Sequence, residues 1–300
     1  MRIPWSGKQC ILCLVESDLT EEHIIPNSVG GVLTCSFLCK PCNSTLGAKI
    51  EAAAKSDPSI RIALQYLESS IPALAGRIHE GQNFLSSGPG GKERGKFRGG
   101  QFHVRSGLDE DGRLTQQTKH ARKSIAKILQ KAGHSDASVT EHLKQFDAAS
   151  ENEKVSLGPG LEAIKRSVDR LEPDLSDSVL MTPLVPLKIA YEFLACHLNT
   201  AICAEHPPLN EIRSALKEGN EKHPAFSVER LSSGEYKPVH GLLFEGNTPY
   251  AKVQIRLFGW LAFRVHFHHL SVAGPRFVYT HMLDTDSEGM DVVEESNVQP

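Results

Sequence analysis

Cys10-Ile-Leu-Cys13, then Thr20-Glu-Glu-His23-Ile-Ile-Pro-Asn-Ser-Val-Gly-Gly31, then Cys39-Lys-Pro-Cys42-Asn-Ser-Thr-Leu-Gly-Ala-Lys-Ile-Glu51 is the stretch that decides the fold of this chain. Two Cys-x-x-Cys pairs bracket an acid–histidine–apolar segment, with 25 residues between the pairs. A thiolate pair separated by two residues gives one metal two ligands, and two such pairs complete a tetrahedral site. The spacing therefore predicts a structural zinc on Cys10, Cys13, Cys39 and Cys42. Redox dithiols would not explain why the pairs occur together.

Around that site the pattern predicts a hairpin and then a helix. Glu22 to Pro26 reads as a short strand stopped by proline, which cannot donate to a ladder. The glycine pair supplies a loop, and Val32 to Thr34 a return strand. From Cys39 to Lys55, Leu46, Ile50 and Ala54 recur at helical spacing until Asp57-Pro58 ends the run.

Glu-His-Ile-Ile-Pro, Gly-Gly and Cys-x-x-Cys-Asn in this order resemble the HNH nucleases, and more narrowly their four-cysteine branch. There a zinc staples a ββα-metal hairpin and helix. The resemblance covers residues 10 to about 55. It implies His23 as the general base that deprotonates a water, and Glu22 and Asn43 as holders of a catalytic divalent metal, Mg²⁺ or Mn²⁺. It also implies hydrolysis of phosphodiesters, with DNA the expected partner and RNA not set aside. Many members carry a ligand four residues after the asparagine. Here that position is Gly47, and Glu51 one turn further on is the alternative. The chemistry stands without the family name. Neutral imidazole accepts a proton near pH 7, and a hard cation on oxygen ligands stabilises the charge that builds on the phosphate.

The chain has 300 residues, 40% of them hydrophobic, which suits two domains and a sizeable core. Seven cysteines, four of them at metal spacing, fit a reducing cytoplasm better than a disulfide framework. No apolar run approaches a membrane span, and the first residues lack the core of a secretory signal. The net charge is −3, but it is unevenly spread. From Arg77 to Lys131 there are twelve Lys/Arg against five acids, and the last nineteen residues hold six acids and no base. A basic middle suits a polyanion partner. The candidate contacts are Lys92, Arg94, Lys96 and Arg98 in a glycine-rich run, expected as a loop, and Lys119, Arg122 and Lys123 on a basic amphipathic helix over 118–131.

Further helices are expected near 60–74 and 138–146, and a long apolar one within 183–205. Alternating segments near 242–244, 251–258, 260–270 and 277–282 read as strands of a sheet with one buried face. The expected fold class is α+β. A zinc-stapled ββα-metal (HNH) unit over 1–56 is followed by a mixed α+β domain over 57–283 with a C-terminal antiparallel sheet, then an acidic disordered tail over 284–300. Beyond residue 56 the sequence resembles no family. By analogy, such units joined to unfamiliar domains belong to restriction or phage-defence systems. A zinc-stapled nucleic-acid binder without catalysis is one alternative. A nuclease gated by a ligand or partner on the C-terminal domain is another. One site cutting both strands implies a homodimer or two successive nicks.

Overall fold

The N-terminal hairpin forms, but its strands lie at 19–23 and 34–39 rather than at the expected 22–26 and 32–34, because residues 27–29 make a helical turn between them. In the computed structural model, which describes residues 1–88, 91–98, 101–104, 107–108, 114–115, 118–151, 153–158, 162–164, 170–232, 234–246, 249–273 and 276–293, a short strand β1 (Arg2–Ile3) runs parallel to β3 (Thr34–Cys39). β2 (Leu19–His23) pairs antiparallel with β3. Between β2 and β3 lies a single turn of 3-10 helix, Asn27–Val29. It is closed by Gly30 at φ 95, a left-handed conformation that favours glycine. Gly31 passes so close to the Ile25 carbonyl that a Cβ there would lie 1.8 Å from that oxygen. The expected helix begins at α1 (Lys40–Lys49), with Cys39 at its N-cap, and ends in a 3-10 segment, Glu51–Ser56. α2 (Pro58–Leu67) and α3 (Pro72–His79) follow, split as Pro72 requires.

The chain then forms β4 (Asn83–Gly88), β5 (Gly91–Arg98), β6 (Gln101–Val104), β7 (Gly107–Leu108), β8 (Leu114–Thr115), α4 (Thr118–Lys131), α5 (Asp136–Ala148), β9 (Lys154–Ser156), β10 (Glu162–Ile164) and β11 (Arg170–Pro173). It returns through α6 (Leu184–Leu198), α7 (Pro207–Glu218), β12 (Phe226–Ser232), β13 (Val239–Glu245), β14 (Ala251–Leu257), β15 (Leu261–Phe267), β16 (Arg276–Met282) and β17 (Ser287–Val293). No described helix is long and apolar enough to cross a membrane.

The fold is α+β, with a C-terminal antiparallel sheet in the order β12-β15-β14-β13-β16-β17. β13 and β14 alternate buried and part-exposed residues along their length, giving the sheet one core face. α6 packs against β13, β14 and β15. It is buried from Leu184 to Ala195 without a break, as a helix apolar on all sides must be.

The division into domains differs from the one read from sequence. The chain forms two compact units, 1–78 with 178–300, and 79–177. No boundary falls at residue 56, because the apolar side chains of the N-terminal hairpin and of the C-terminal sheet belong to one core. Ile11, Ile24, Leu33 and Phe37 share it with Leu187, Tyr191, Phe244 and Val253. The acidic end is likewise ordered through 293: β17 pairs along β16, and its Glu288 accepts from Tyr279 Oη at 2.9 Å. Residues 294–300 of the expected tail lie outside the described residues.

The second unit also departs from expectation. Its glycine-rich basic run is two strands rather than a loop, in a sheet ordered β11-β4-β5-β6. α4 and α5 form a small core of their own through Ile125, Leu129, Val139 and Phe146.

Candidate functional site

The four cysteines converge. Cys10 and Cys13 stand on a tight turn in which the Leu14 amide donates to the Cys10 carbonyl, while Cys39 and Cys42 straddle the junction of β3 and α1. One sulfur from each lies within 4.8 Å of all the others. Cys13 Sγ and Cys39 Sγ are 3.7 Å apart. The edge of a tetrahedron of sulfurs around zinc is about 3.8 Å, given ~2.3 Å bonds. Burial, then crowding by Cys39, Cys10 and Cys13, pushes the Cys42 thiol up. Sulfurs packed this closely fit a metal that takes them as thiolates. Of the remaining cysteines, Cys35 is buried in the core, and Cys196 and Cys203 pack partly buried against it.

His23 ends β2. Residues Glu21, Glu22 and His23 face Ser36, Cys35 and Thr34 in regular register, just beyond a bulge at Thr20/Glu21. Successive side chains on a strand leave on opposite faces. Glu22 therefore points into the core at 5% exposure, while Glu21 and His23 point away from it. Burial lowers the His23 pKa, with Lys188 and Arg77 adding to the effect and Glu21 and Glu51 opposing it. The shift favours the neutral ring. Arg77 donates to the Asn27 side chain and, at 2.9 Å, to the Asn27 carbonyl, so its guanidinium is fixed beside the same loop.

Glu22 and Asn43, expected to hold a metal, are each engaged within the protein. Asn43 Nδ2 donates to Thr20 Oγ1 and to the Glu21 carbonyl, both at 3.0 Å. It clamps α1 to the bulge of β2 and so aims the residues after it. Glu22 is met by Lys188 of α6, whose ammonium also donates to the His23 carbonyl at 2.8 Å. Glu51 pairs with the same ammonium, and Glu192, four residues along α6, lies 2.9 Å from it. Lys188 is 0% exposed and Glu192 1%. Burial alone would lower the lysine pKa, but Glu192, Glu22 and Glu51 together hold it above its ordinary value. Burial, against the pull of Lys188, raises Glu22 and takes Glu192 well above the carboxylate range.

Sequence reasoning missed Lys188 and Glu192 altogether, and had Glu51 only as a substitute ligand. The signal was present: a Lys and a Glu at i, i+4 inside an otherwise apolar helix. Such charges are almost never buried unless paired.

The same helices brace the first cysteine knuckle. Tyr191 Oη donates to the Ile11 carbonyl at 2.6 Å, and Arg213 Nε of α7 donates to that carbonyl and to Tyr191 Oη, both at 3.1 Å. From the sheet, His240 Nε2–H donates to the Val29 carbonyl at 3.0 Å, while its Nδ1 accepts from the Phe258 amide. Asp57 caps α2 and takes both Arg230 nitrogens, at 2.9 and 3.1 Å. His197, half-buried, packs on the Phe244 and Phe277 rings.

The basic candidates all lie in the second unit. Arg94, Lys96 and Arg98 alternate along one face of β5, with Phe97 turned to the Phe84 and Phe102 rings. With His103 they line a cleft of about 460 Å³, where Arg94 is paired to Asp174 at 3.3 Å. On α4, Arg122 is paired to Asp147 and Lys123 is exposed. The side chains of Lys92 and Lys119 lie outside the described residues.

Residues 10–59, about a sixth of the chain, match the model of a family described as HNH endonuclease. No curated protein and no solved structure matches the chain. The family read from the motif is thus shown for that segment, together with a four-cysteine cluster able to bind a metal.

Proposed function

We propose, on the premise that residues 10–59 form an HNH endonuclease segment, that this chain hydrolyses phosphodiester bonds of DNA with His23 as general base. Zinc on Cys10, Cys13, Cys39 and Cys42 is structural, since four sulfurs leave no open position for substrate. The observation that carries the reading is the placement of His23: part-exposed at a strand end that is pinned from both sides, where burial lowers its pKa. Such a ring accepts a proton from the attacking water. Arg77, exposed beside the same loop, offers a cation to the phosphate.

The family implies a divalent metal, Mg²⁺ or Mn²⁺, which when bound stabilises charge on the phosphate oxygens. Glu22 does not fit it as arranged, since its carboxylate is taken by Lys188; Asn43 spends its amide nitrogen on β2 and keeps Oδ1, the atom a hard cation would take. The steps assigned to this chain are therefore those of its own side chains. His23 takes the proton, Arg77 neutralises the phosphate, and Asn43 and Lys188 hold the strand that carries the base. The row Arg94, Lys96 and Arg98 supports a nucleic-acid partner, because cations spaced two residues apart on one strand face can track a phosphate backbone.

Plasmid DNA with Mg²⁺ or Mn²⁺ tests the reading. Wild-type chain is expected to nick or cut, and His23→Ala to lose about 10² to 10⁴ in rate. Wild type that binds DNA as well as His23→Ala does, yet never cuts, would make this a zinc-stapled binding protein instead.

A further inference from the structure

The family match ends at residue 59, yet the strand that carries His23 is gripped by a residue 165 positions further on. Lys188 is fully buried, and it touches the motif twice: at the Glu22 carboxylate and at the His23 main-chain carbonyl, 2.8 Å away. Its other partners come from two further elements, Glu51 from the 3-10 segment after α1 and Glu192 from its own helix. An ammonium so placed has no freedom to wander, because each carboxylate fixes it from a different direction.

We propose that Lys188 is a positioning residue of the nuclease site, which the HNH segment cannot complete by itself. Glu22 in this chain serves that grip. The ammonium draws the Glu22 side chain inward. Since neighbouring strand residues face opposite ways, holding Glu22 in holds His23 out. The bond to the His23 carbonyl then fixes the last peptide of β2, so the imidazole reaches the substrate from one orientation. Asn43 does the same two residues back along the strand, at Glu21. The base is thus held between a residue inside the matched segment and one outside it.

The proposal rests on the nuclease reading, and the test separates the two. Three nearly isosteric variants are compared with wild type on plasmid DNA: Lys188→Met, Lys188→Met/Glu192→Gln, and Glu192→Gln. The double variant removes one charge of each sign and so guards against simple misfolding. Zinc content and circular dichroism establish that each is folded. Both Met variants are expected to lose about a hundredfold in kcat, the cost of a small misplacement of a catalytic group, with KM for DNA within about twofold. Glu192→Gln keeps the ammonium and both its contacts to the motif, and is expected to lose no more than about tenfold. Folded Met variants with wild-type kcat overturn the proposal. So does an equal loss in all three, which would make the cluster a structural unit with no special role for the lysine. Wild type that does not cut at all overturns the nuclease reading and this inference with it.

Discussion

Two tetrads hold the His23 segment, one of sulfur and one of charge, and they are built on opposite plans. The sulfur tetrad is local: all its members fall within residues 10–42 and come as pairs with two residues between. The charge tetrad joins Glu22 and Glu51 to Lys188 and Glu192 across more than half the chain. The first can be written into a short segment and carried from one protein to another. The second exists only when α6 is packed beneath the hairpin. The contrast shows why the matched segment is no free-standing domain here: its knuckle, its strand and its loop each end on a side chain from residues 188–240.

The contrast is most sharply broken at the sulfur tetrad. Cys39→Ser is expected to release the metal, taking metal content from one per chain to none. It should also unfold the hairpin, since structural zinc in small modules is worth on the order of 10 kcal/mol. Metal analysis and limited proteolysis check this; undiminished zinc would contradict it. At the charge tetrad the expected loss is smaller. Lys188→Met strips the cation from three carboxylates and should cost about 3–5 kcal/mol, the usual penalty for breaking a buried pair. Urea titration should show it with zinc still bound. A loss under about 1 kcal/mol would mean that the acids carry their own protons.

Between the two tetrads stands the knuckle brace. Tyr191→Phe removes the donor to the Ile11 carbonyl and one acceptor of Arg213. Because Arg213 Nε still donates to that carbonyl, it should cost only about 0.5–1.5 kcal/mol, the net worth of a hydrogen bond. The smallest effect is at Gly47, in the interior of α1, where an added Cβ would meet nothing within 4 Å. Gly47→Ala is expected to stabilise by about 0.5–1 kcal/mol, through helix propensity alone. A destabilised Ala variant would show that something unseen fills that space.

What was legible in the sequence follows the same divide. The cysteine pairs, the hairpin, the helix after Cys39 and the alternating strands from 242 onward all signal through neighbours a few residues apart. The tight approach at Gly31 was written there too, as a glycine pair. Lys188 was hidden because its four partners lie on three elements, and because an apolar run reads as core whether or not a lysine interrupts it. Glu22 was assigned to a metal on family grounds, since the sequence does not show which cation reaches a carboxylate first. The glycine-rich run 81–100 read as a loop, because its strands gain their order from pairing with β11 and β6 rather than from propensity. Residues 287–293 read as a disordered acidic tail for the same reason: Glu288 meets Tyr279 and the N-terminal amine only in the folded unit.

The rate of plasmid cleavage as a function of pH tests the central claim, that a neutral His23 is the base. Its folded pKa lies below the ordinary 6.5, so the ring stays unprotonated, and competent, to lower pH than a free histidine. We expect the wild-type rate to be flat through neutrality and to fall on acidification with a midpoint below 6.5, and His23→Ala to lose that limb together with most of the rate. A His23→Ala chain that cuts at the wild-type rate with the same acid limb would place the base elsewhere and contradict the account.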